Sequence, residues 1–258
     1  MQKLSGRLTS EQLEEYALDG VTRLPGAVPA KDLAAMLQVL WGRLEARHGV
    51  VRDRPQTWAT HRPAQLTSTV DEFAAMASPA VRAALDALLG PGGWKTPPRW
   101  GLPLVTFPGF DRRWDVPHRQ WHMDLAATAE PPRVARLFLV LNASEPGGGG
   151  TGYVAGSHRV LRQLAARAGK ALPAGEARKL LVAQEPWFAA LESVRKGEDR
   201  AARFMADGGV ADGVPVRVRE MLGEPGDVIL MDPLMLHGMT PNVAQTPRMM
   251  LTEWVYGV

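Results

Sequence analysis

A run of turn formers, Gly90-Pro91-Gly92-Gly93, divides this sequence into two stretches of different period. Adjacent Gly and Pro stop a helix and permit a sharp reversal. Ahead of them apolar residues recur at helical spacing, and beyond them they come in short branched and aromatic runs. A chain patterned this way has to lay helices against a sheet. Thr9, followed three residues later by Gln12, forms a capping box that predicts a helix through Leu18, ended by Gly20. Pro29 opens a longer one, with Leu33, Met36, Leu37, Leu40 and Leu44 along one side. A third is expected from about Val70 to Leu89.

Beyond the turn, Leu102–Phe107, Gln120–Leu125 and Arg133–Asn142 read as strands, the last being RVARLFLVLN. A glycine-rich turn, Pro146–Gly150, leads to a further strand at Thr151–Ala155. Residues 158–206 return to helical composition and read as an insertion, after which strands resume at Val214–Arg219, Asp227–Met231 and Met249–Val255. No internal repeat or low-complexity linker interrupts the chain. At 258 residues it fits one domain spanning 1–258. Residues 1–95 would form a helical N-terminal layer, and 96–258 a mainly β core with the insertion at about 158–206.

Composition removes several functions. With no cysteine, disulfides, thiolate catalysis and cysteine-ligated metals are excluded. A formal charge of +3 with scattered basic residues lacks the concentrated stripe that nucleic acid requires, so no nucleic-acid partner is expected. The opening MQKLSGRLTSEQLEEYALDG is polar, and no stretch approaches the ~20 apolar residues of a bilayer span. The expectation is a cytoplasmic protein with neither secretory signal nor membrane partner. Its oligomeric state is not legible.

The residues that carry chemistry begin with Trp121-His122-Met123-Asp124. In a strand, His122 and Asp124 project to one face, and an imidazole beside a carboxylate is a two-ligand clip for a divalent metal. Alone, His-x-Asp is a common tripeptide. Its weight comes from the far end, Gly226-Asp227-Val228-Ile229-Leu230-Met231-Asp232-Pro233-Leu234-Met235-Leu236-His237-Gly238. There a turn and a strand deliver a second histidine at the mouth of a loop. Arg248 follows at the start of MMLTEWVYGV, where a planar fork can hold a carboxylate in one orientation.

Three segments in this order, WHMD at 121–124, GGGGTGYVAGSHR at 147–159 and GDVILMDPLMLHGMTPN at 226–242 with Arg248 beyond, resemble the phytanoyl-CoA dioxygenase-like group of iron(II)/2-oxoglutarate oxygenases. The N-terminal EQLEEYALDGVTRLPGAVP is similar to that family's opening helix and short strand. The stretches 45–100 and 160–215 match nothing specific. The resemblance implies a double-stranded β-helix (jelly-roll, cupin-like) core, with iron(II) on His122, Asp124 and His237. It further implies 2-oxoglutarate as co-substrate, its distal carboxylate on Arg248, and O2 as oxidant. Thr151 falls near the co-substrate by the same carry-over, and Phe138 is placed over the metal site or in the core. The implied activity is hydroxylation of a small or medium metabolite with release of succinate and CO2. Alternatives are a cupin-like metal enzyme without 2-oxoglutarate and a non-catalytic binding protein on the same fold. Two departures are Ala155 where the family often has Pro, and the run Gly147–Gly150, expected to lengthen or loosen its turn. Retention of Asp124 favours hydroxylation, or another outcome of hydrogen abstraction such as desaturation, cyclisation or epimerisation, over halogenation, since related halogenases carry a small residue there.

The other candidates have plainer readings. His118 shares a face with His122 and is at most a pocket residue; His158 is expected to bond local backbone. His48 and His61 lie in an unmatched stretch, and His61 would face substrate only under a lid. Trp94, Trp100, Trp114 and Trp121 are expected to pack helices onto the core, with Trp100 or Trp114 walling the pocket as the alternative. Arg99, Arg112 and Arg113 are read as solvated, with an anionic substrate as their alternative use.

Overall fold

In the chain's computed structural model, residues 8–58, 70–109 and 113–258 are described. Helix α1 (Ser10–Asp19) starts where the capping box predicts: the Thr9 hydroxyl accepts from the Gln12 amide (3.2 Å) and the Gln12 side chain accepts from the Thr9 amide (2.9 Å). Strand β1 (Val21–Leu24) and the long helix α2 (Ala30–His48) follow. The third expected helix is broken. A 3-10 turn covers Asp71–Met76, and α3 (Pro79–Leu89) starts only after Ser78, whose hydroxyl caps the Val81 amide at 3.3 Å. Proline at the first helical position has no amide to offer the preceding turn, so the helix cannot extend backward through it.

Strands β2 (Leu102–Thr106), β3 (Val134–Val140) and β4 (Thr151–Ala155) come next, then helices α4 (Ser157–Ala168), α5 (Ala174–Gln184) and α6 (Pro186–Leu191) and a π-helical turn at Ala202–Asp207. Strands β5 (Gly209–Ala211), β6 (Val214–Glu220), β7 (Val228–Met231), β8 (His237–Met239) and β9 (Arg248–Tyr256) complete the chain. They form two antiparallel sheets, β1-β7-β3-β9-β2 and β5-β6-β4-β8. The sheets and their helices make the jelly-roll core anticipated above. Gln120–Leu125 is not the strand expected. His122 makes a single antiparallel bridge to His237 and the chain bends at Asp124 and Leu125. It leaves the sheet because the next bridge, Ala127 to Leu172, ties it to the insertion instead.

Three apolar clusters follow from period-two alternation. The outer face of the five-stranded sheet (Leu137, Leu139, Leu230, Leu251) packs under Leu33, Met36, Leu40 and Leu44 of α2 and Val81 and Leu85 of α3. The inner face (Phe138, Val140, Ile229, Met231, Met250) meets Tyr153 and Ala155 of β4. The insertion helices cover the other side of the second sheet through Val154, Val216 and Val218. Each fully buried Leu or Phe contributes roughly 1.5–3 kcal/mol of transfer free energy. Among the described residues no helix is long and apolar enough to cross a membrane.

Candidate metal centre

Trp121 and Met123 are buried while His122 and Asp124 are exposed, so the two large apolar side chains anchor the segment and turn its polar pair the other way. The Trp121 indole donates to the Pro117 carbonyl (2.9 Å) and packs with the insertion. His122 and His237 then exchange both backbone hydrogen bonds, each 2.9 Å. This pairing brings their rings to 4.4 Å between centroids. His237 therefore opens β8 rather than sitting in a loop.

Each ring has its Nδ1 against the carbonyl two residues back, His122 on Gln120 (3.1 Å) and His237 on Met235 (3.0 Å). A carbonyl only accepts, so a neutral imidazole in this position carries its proton on Nδ1 and leaves its Nε2 lone pair free for a metal. This is the tautomer a metal-binding imidazole needs. Asp124 reaches both: its Oδ2 lies 3.4 Å from His237 Nε2 and its Oδ1 3.8 Å from His122 Nε2. One ligating atom from each of the three residues lies within 4.8 Å of the others. Metal bonds of ~2.0–2.2 Å at right angles would put donor atoms about 3 Å apart, so a small contraction suffices. Burial pushes the His237 imidazole down to about 4, leaving it neutral in the physiological range. His122 stays open to solvent, its side chain 53% exposed. The donor set fits a divalent cation with an accessible face.

Arg248 lies at the buried end of the same interior. Its Nε donates to the Gly149 carbonyl (2.9 Å), one Nη to the Thr106 hydroxyl (2.8 Å) and the other contacts Met250 Sδ (3.3 Å). Among the described residues no carboxylate pairs with it, and burial alone lowers its guanidinium to about 10. A buried unpaired charge costs several kcal/mol, which an incoming anion would offset. Two asparagines hold this end. Asn142 bonds the Pro247 carbonyl (2.7 Å) and the Met249 amide (2.8 Å) on either side of Arg248. Asn242 donates to the Thr106 carbonyl (2.9 Å). The glycine run packs against this end: Gly149 has φ +76, and a Cβ there would lie 2.6 Å from Asn242 Cβ.

Thr151 is buried at the start of β4, in register with Met239, and Phe138 is buried on the inner face of β3, in register with Thr252 and Ile229. Sequence reasoning missed Thr106, Asn142 and Arg136. Arg136 shares the Phe138 face by period-two alternation, a signal present in RVARLFLVLN. Its Nη1 donates to Asp124 Oδ2 at 3.1 Å. Burial lowers its guanidinium from the usual range, opposed by Asp124 and Glu253.

His118 is exposed and outside the triad. His158 is fully buried and bonds backbone, but the remote Ala17 carbonyl of α1 (3.2 Å) rather than a local one. Trp100 and Trp94 pack with the N-terminal helices, and the Trp114 indole donates to Glu220 (3.2 Å). Arg99 borders a cleft of about 260 Å³ with Val70 and Trp100, and Arg113 is exposed. His48 ends α2. His61 and Arg112 lie outside the described residues.

No protein-family model matches this chain. No curated protein sequence matches it either. Solved structures do. The non-haem α-ketoglutarate-dependent epimerase SnoN from nogalamycin biosynthesis superposes with a TM-score of 0.53 at 17% identity, covering 96% of this chain and 81% of SnoN. HygX from Streptomyces hygroscopicus, solved with nickel and 2-oxoglutarate, gives 0.52 at 16%, covering 97% and 87%. AviO1 from Streptomyces viridochromogenes Tue57 gives 0.55 at 18%, covering 100% and 97%. At such identities the likeness is one of fold.

Proposed function

We propose that this chain is a mononuclear non-haem iron(II) oxygenase consuming 2-oxoglutarate, with His122, Asp124 and His237 as metal ligands and Arg248 receiving the distal carboxylate. The observation that carries the reading is the convergence of two Nε2 atoms and a carboxylate, with a buried guanidinium in the same interior that no carboxylate of the described residues pairs. Two of the fold neighbours point the same way: SnoN is described as α-ketoglutarate-dependent, and HygX binds 2-oxoglutarate with nickel.

Bound iron(II) with 2-oxoglutarate supplies dioxygen activation and hydrogen removal from an unactivated C–H bond, with succinate and CO2 as by-products. The chain's own residues do the rest. Gln120 and Met235 fix the imidazole tautomers, and the Asn142 and Asn242 clamps hold Arg248 and Thr106 where a carboxylate can accept from both. Thr151 is assigned beside the co-substrate and Phe138 beside the metal. The substrate is a small or medium metabolite and hydroxylation the outcome. A cupin-like enzyme without 2-oxoglutarate has no use for a guanidinium at that depth that no carboxylate of the described residues pairs.

The test is an oxygen-free titration of apo-protein with iron(II), then 2-oxoglutarate, following the visible charge-transfer band of a chelated 2-oxo acid. The band should appear in the wild type, vanish in His237→Ala and demand far more co-substrate in Arg248→Ala. Iron binding with no band at saturating 2-oxoglutarate would falsify the assignment and leave the cupin-like reading.

A further inference from the structure

The interior is closed at one end and open at the other. Along the inner face of β9 run Arg248, Met250, Thr252, Trp254 and Tyr256. The first three are buried, Trp254 is half-buried and Tyr256 is 50% exposed. Leu102, in register with Thr252, is also open, at 41%. Arg136 projects into this open half, in register with Trp254. Trp254 stands six residues beyond Arg248 (254 − 248), about 20 Å of extended strand.

The Arg136 guanidinium lies 4.2 Å from the Trp254 ring and 5.2 Å from that of Phe138. Its hydrogen bond to Asp124 is the only one it makes among the described residues, and its Nε is buried with no partner. Five donors in a planar fork suit an oxyanion far better than one shared carboxylate oxygen does. A divalent cation in the triad draws on the same Asp124 charge and sets a second positive centre beside Arg136. An anion there offsets both. The distal carboxylate of the co-substrate belongs to Arg248 at the closed end. An anion meeting Arg136 enters with the substrate, through the open end.

We infer that Arg136 is the substrate-recognition residue, and that the substrate carries a carboxylate or an equivalent oxyanion, seated on the guanidinium with its apolar part against Trp254. This rests on the oxygenase reading above. The probe is benzoate against its neutral isostere benzamide, titrated calorimetrically into nickel-loaded, 2-oxoglutarate-saturated protein. Benzoate should bind at least about tenfold more tightly than benzamide, as a charge-assisted contact requires. Arg136→Gln should erase that preference and leave 2-oxoglutarate affinity unchanged, while Arg136→Lys should keep part of it. Melting curves and nickel affinity verify that both variants are folded. Equal binding of the two probes by the wild type overturns the inference whatever the variants do. So does a preference that survives Arg136→Gln. A tenfold loss of 2-oxoglutarate affinity in that variant also overturns it, since the guanidinium would then serve the co-substrate's metal-bound carboxylate. If 2-oxoglutarate fails to bind the wild type, the oxygenase reading fails on that arm alone, and the benzoate comparison on nickel-loaded protein still decides Arg136.

Discussion

Thr106 gives Arg248 one of its two oxygen acceptors, and Asn242 in turn holds the Thr106 carbonyl. Thr106→Val keeps the shape and removes the hydroxyl, so a carboxylate seated on Arg248 loses the second donor beside it and the guanidinium loses the partner that orients it. A hydrogen bond to a charged group is worth about 1.5–3 kcal/mol, so 2-oxoglutarate affinity should fall by on the order of tenfold or more. Iron(II) affinity should stay as it was, because no triad atom is touched. Separate titrations of metal and co-substrate check both halves, and a loss of metal binding would contradict the assignment. His158 supplies a pH effect instead. Its Nε2 bonds the Ala17 carbonyl, its Nδ1 has no partner, and burial holds its pKa below the usual imidazole range; Asp232 opposes the shift, and Arg162 and Arg159 add to it. The unfolded chain, near 6.5, takes up a proton as the pH drops while the folded chain does not. Stability from this group is therefore whole above about pH 6.5 and lost as the pH falls toward the folded value, at up to ~1.4 kcal/mol per pH unit. His158→Gln keeps a donor for Ala17 and cannot titrate. Urea unfolding of metal-free protein at pH 7 and pH 5 should show the wild type's advantage over the variant shrinking at the lower pH. A constant difference would count against it.

At the level of elements, the end of α1 shows how a helix far from the chemistry is bolted to it. Gly20 has φ +81, and its carbonyl accepts from the Asp232 amide (2.7 Å) while Asp19's accepts from Gly156 (3.1 Å). A Cβ on Gly20 would fall 2.0 Å from Met235 Cε and 2.6 Å from His158 Nδ1. Met235 is also the residue whose carbonyl orients the His237 ring. Gly20→Ala combines left-handed strain of roughly 1–2 kcal/mol with overpacking of about 1–3 kcal/mol, so its melting temperature should drop sharply. Gly42, mid-helix in α2 with nothing near its Cβ position, is the control, and Gly42→Ala should gain about 0.5–1 kcal/mol. Calorimetric scans of both variants give the comparison. α1 was legible in full because capping box and stop glycine are local signals. The short strands β5 and β8 were not, since three residues carry no period and pair only because the sheet recruits them. The same holds for 120–125, whose sequence reads as strand but whose partner beyond His122 is the insertion. Register is long-range, so Arg248 could be singled out from the sequence, but not its neighbour Thr106.

For the whole molecule, the triad joins segments that share no element: His122 and Asp124 come from the connection between β2 and β3, and His237 from β8. A cation bound there acts as a clamp between distant parts of the chain and has no counterpart in the unfolded state. The motif residues were readable because the chemistry needs fixed residue types at fixed short spacing. For Arg136 the alternation of RVARLFLVLN gives the face but not the role, because a lone arginine in an apolar strand gains meaning only when the fold sets it against Asp124 and Trp254. The clamp has a measurable consequence. At a hundred times its dissociation constant, a ligand specific to the folded state adds about 2.7 kcal/mol. For a chain of this size that is a rise of roughly 5–10 °C in melting temperature. Iron(II), or nickel in air, should produce the rise, chelator should reverse it, and His122→Ala should abolish it. Arg248→Met should keep the metal's rise and lose only the further increment that 2-oxoglutarate adds to the wild type. A wild type that gains from metal and nothing from 2-oxoglutarate would separate the metal site from the co-substrate assignment, because Arg248 would then hold some other anion.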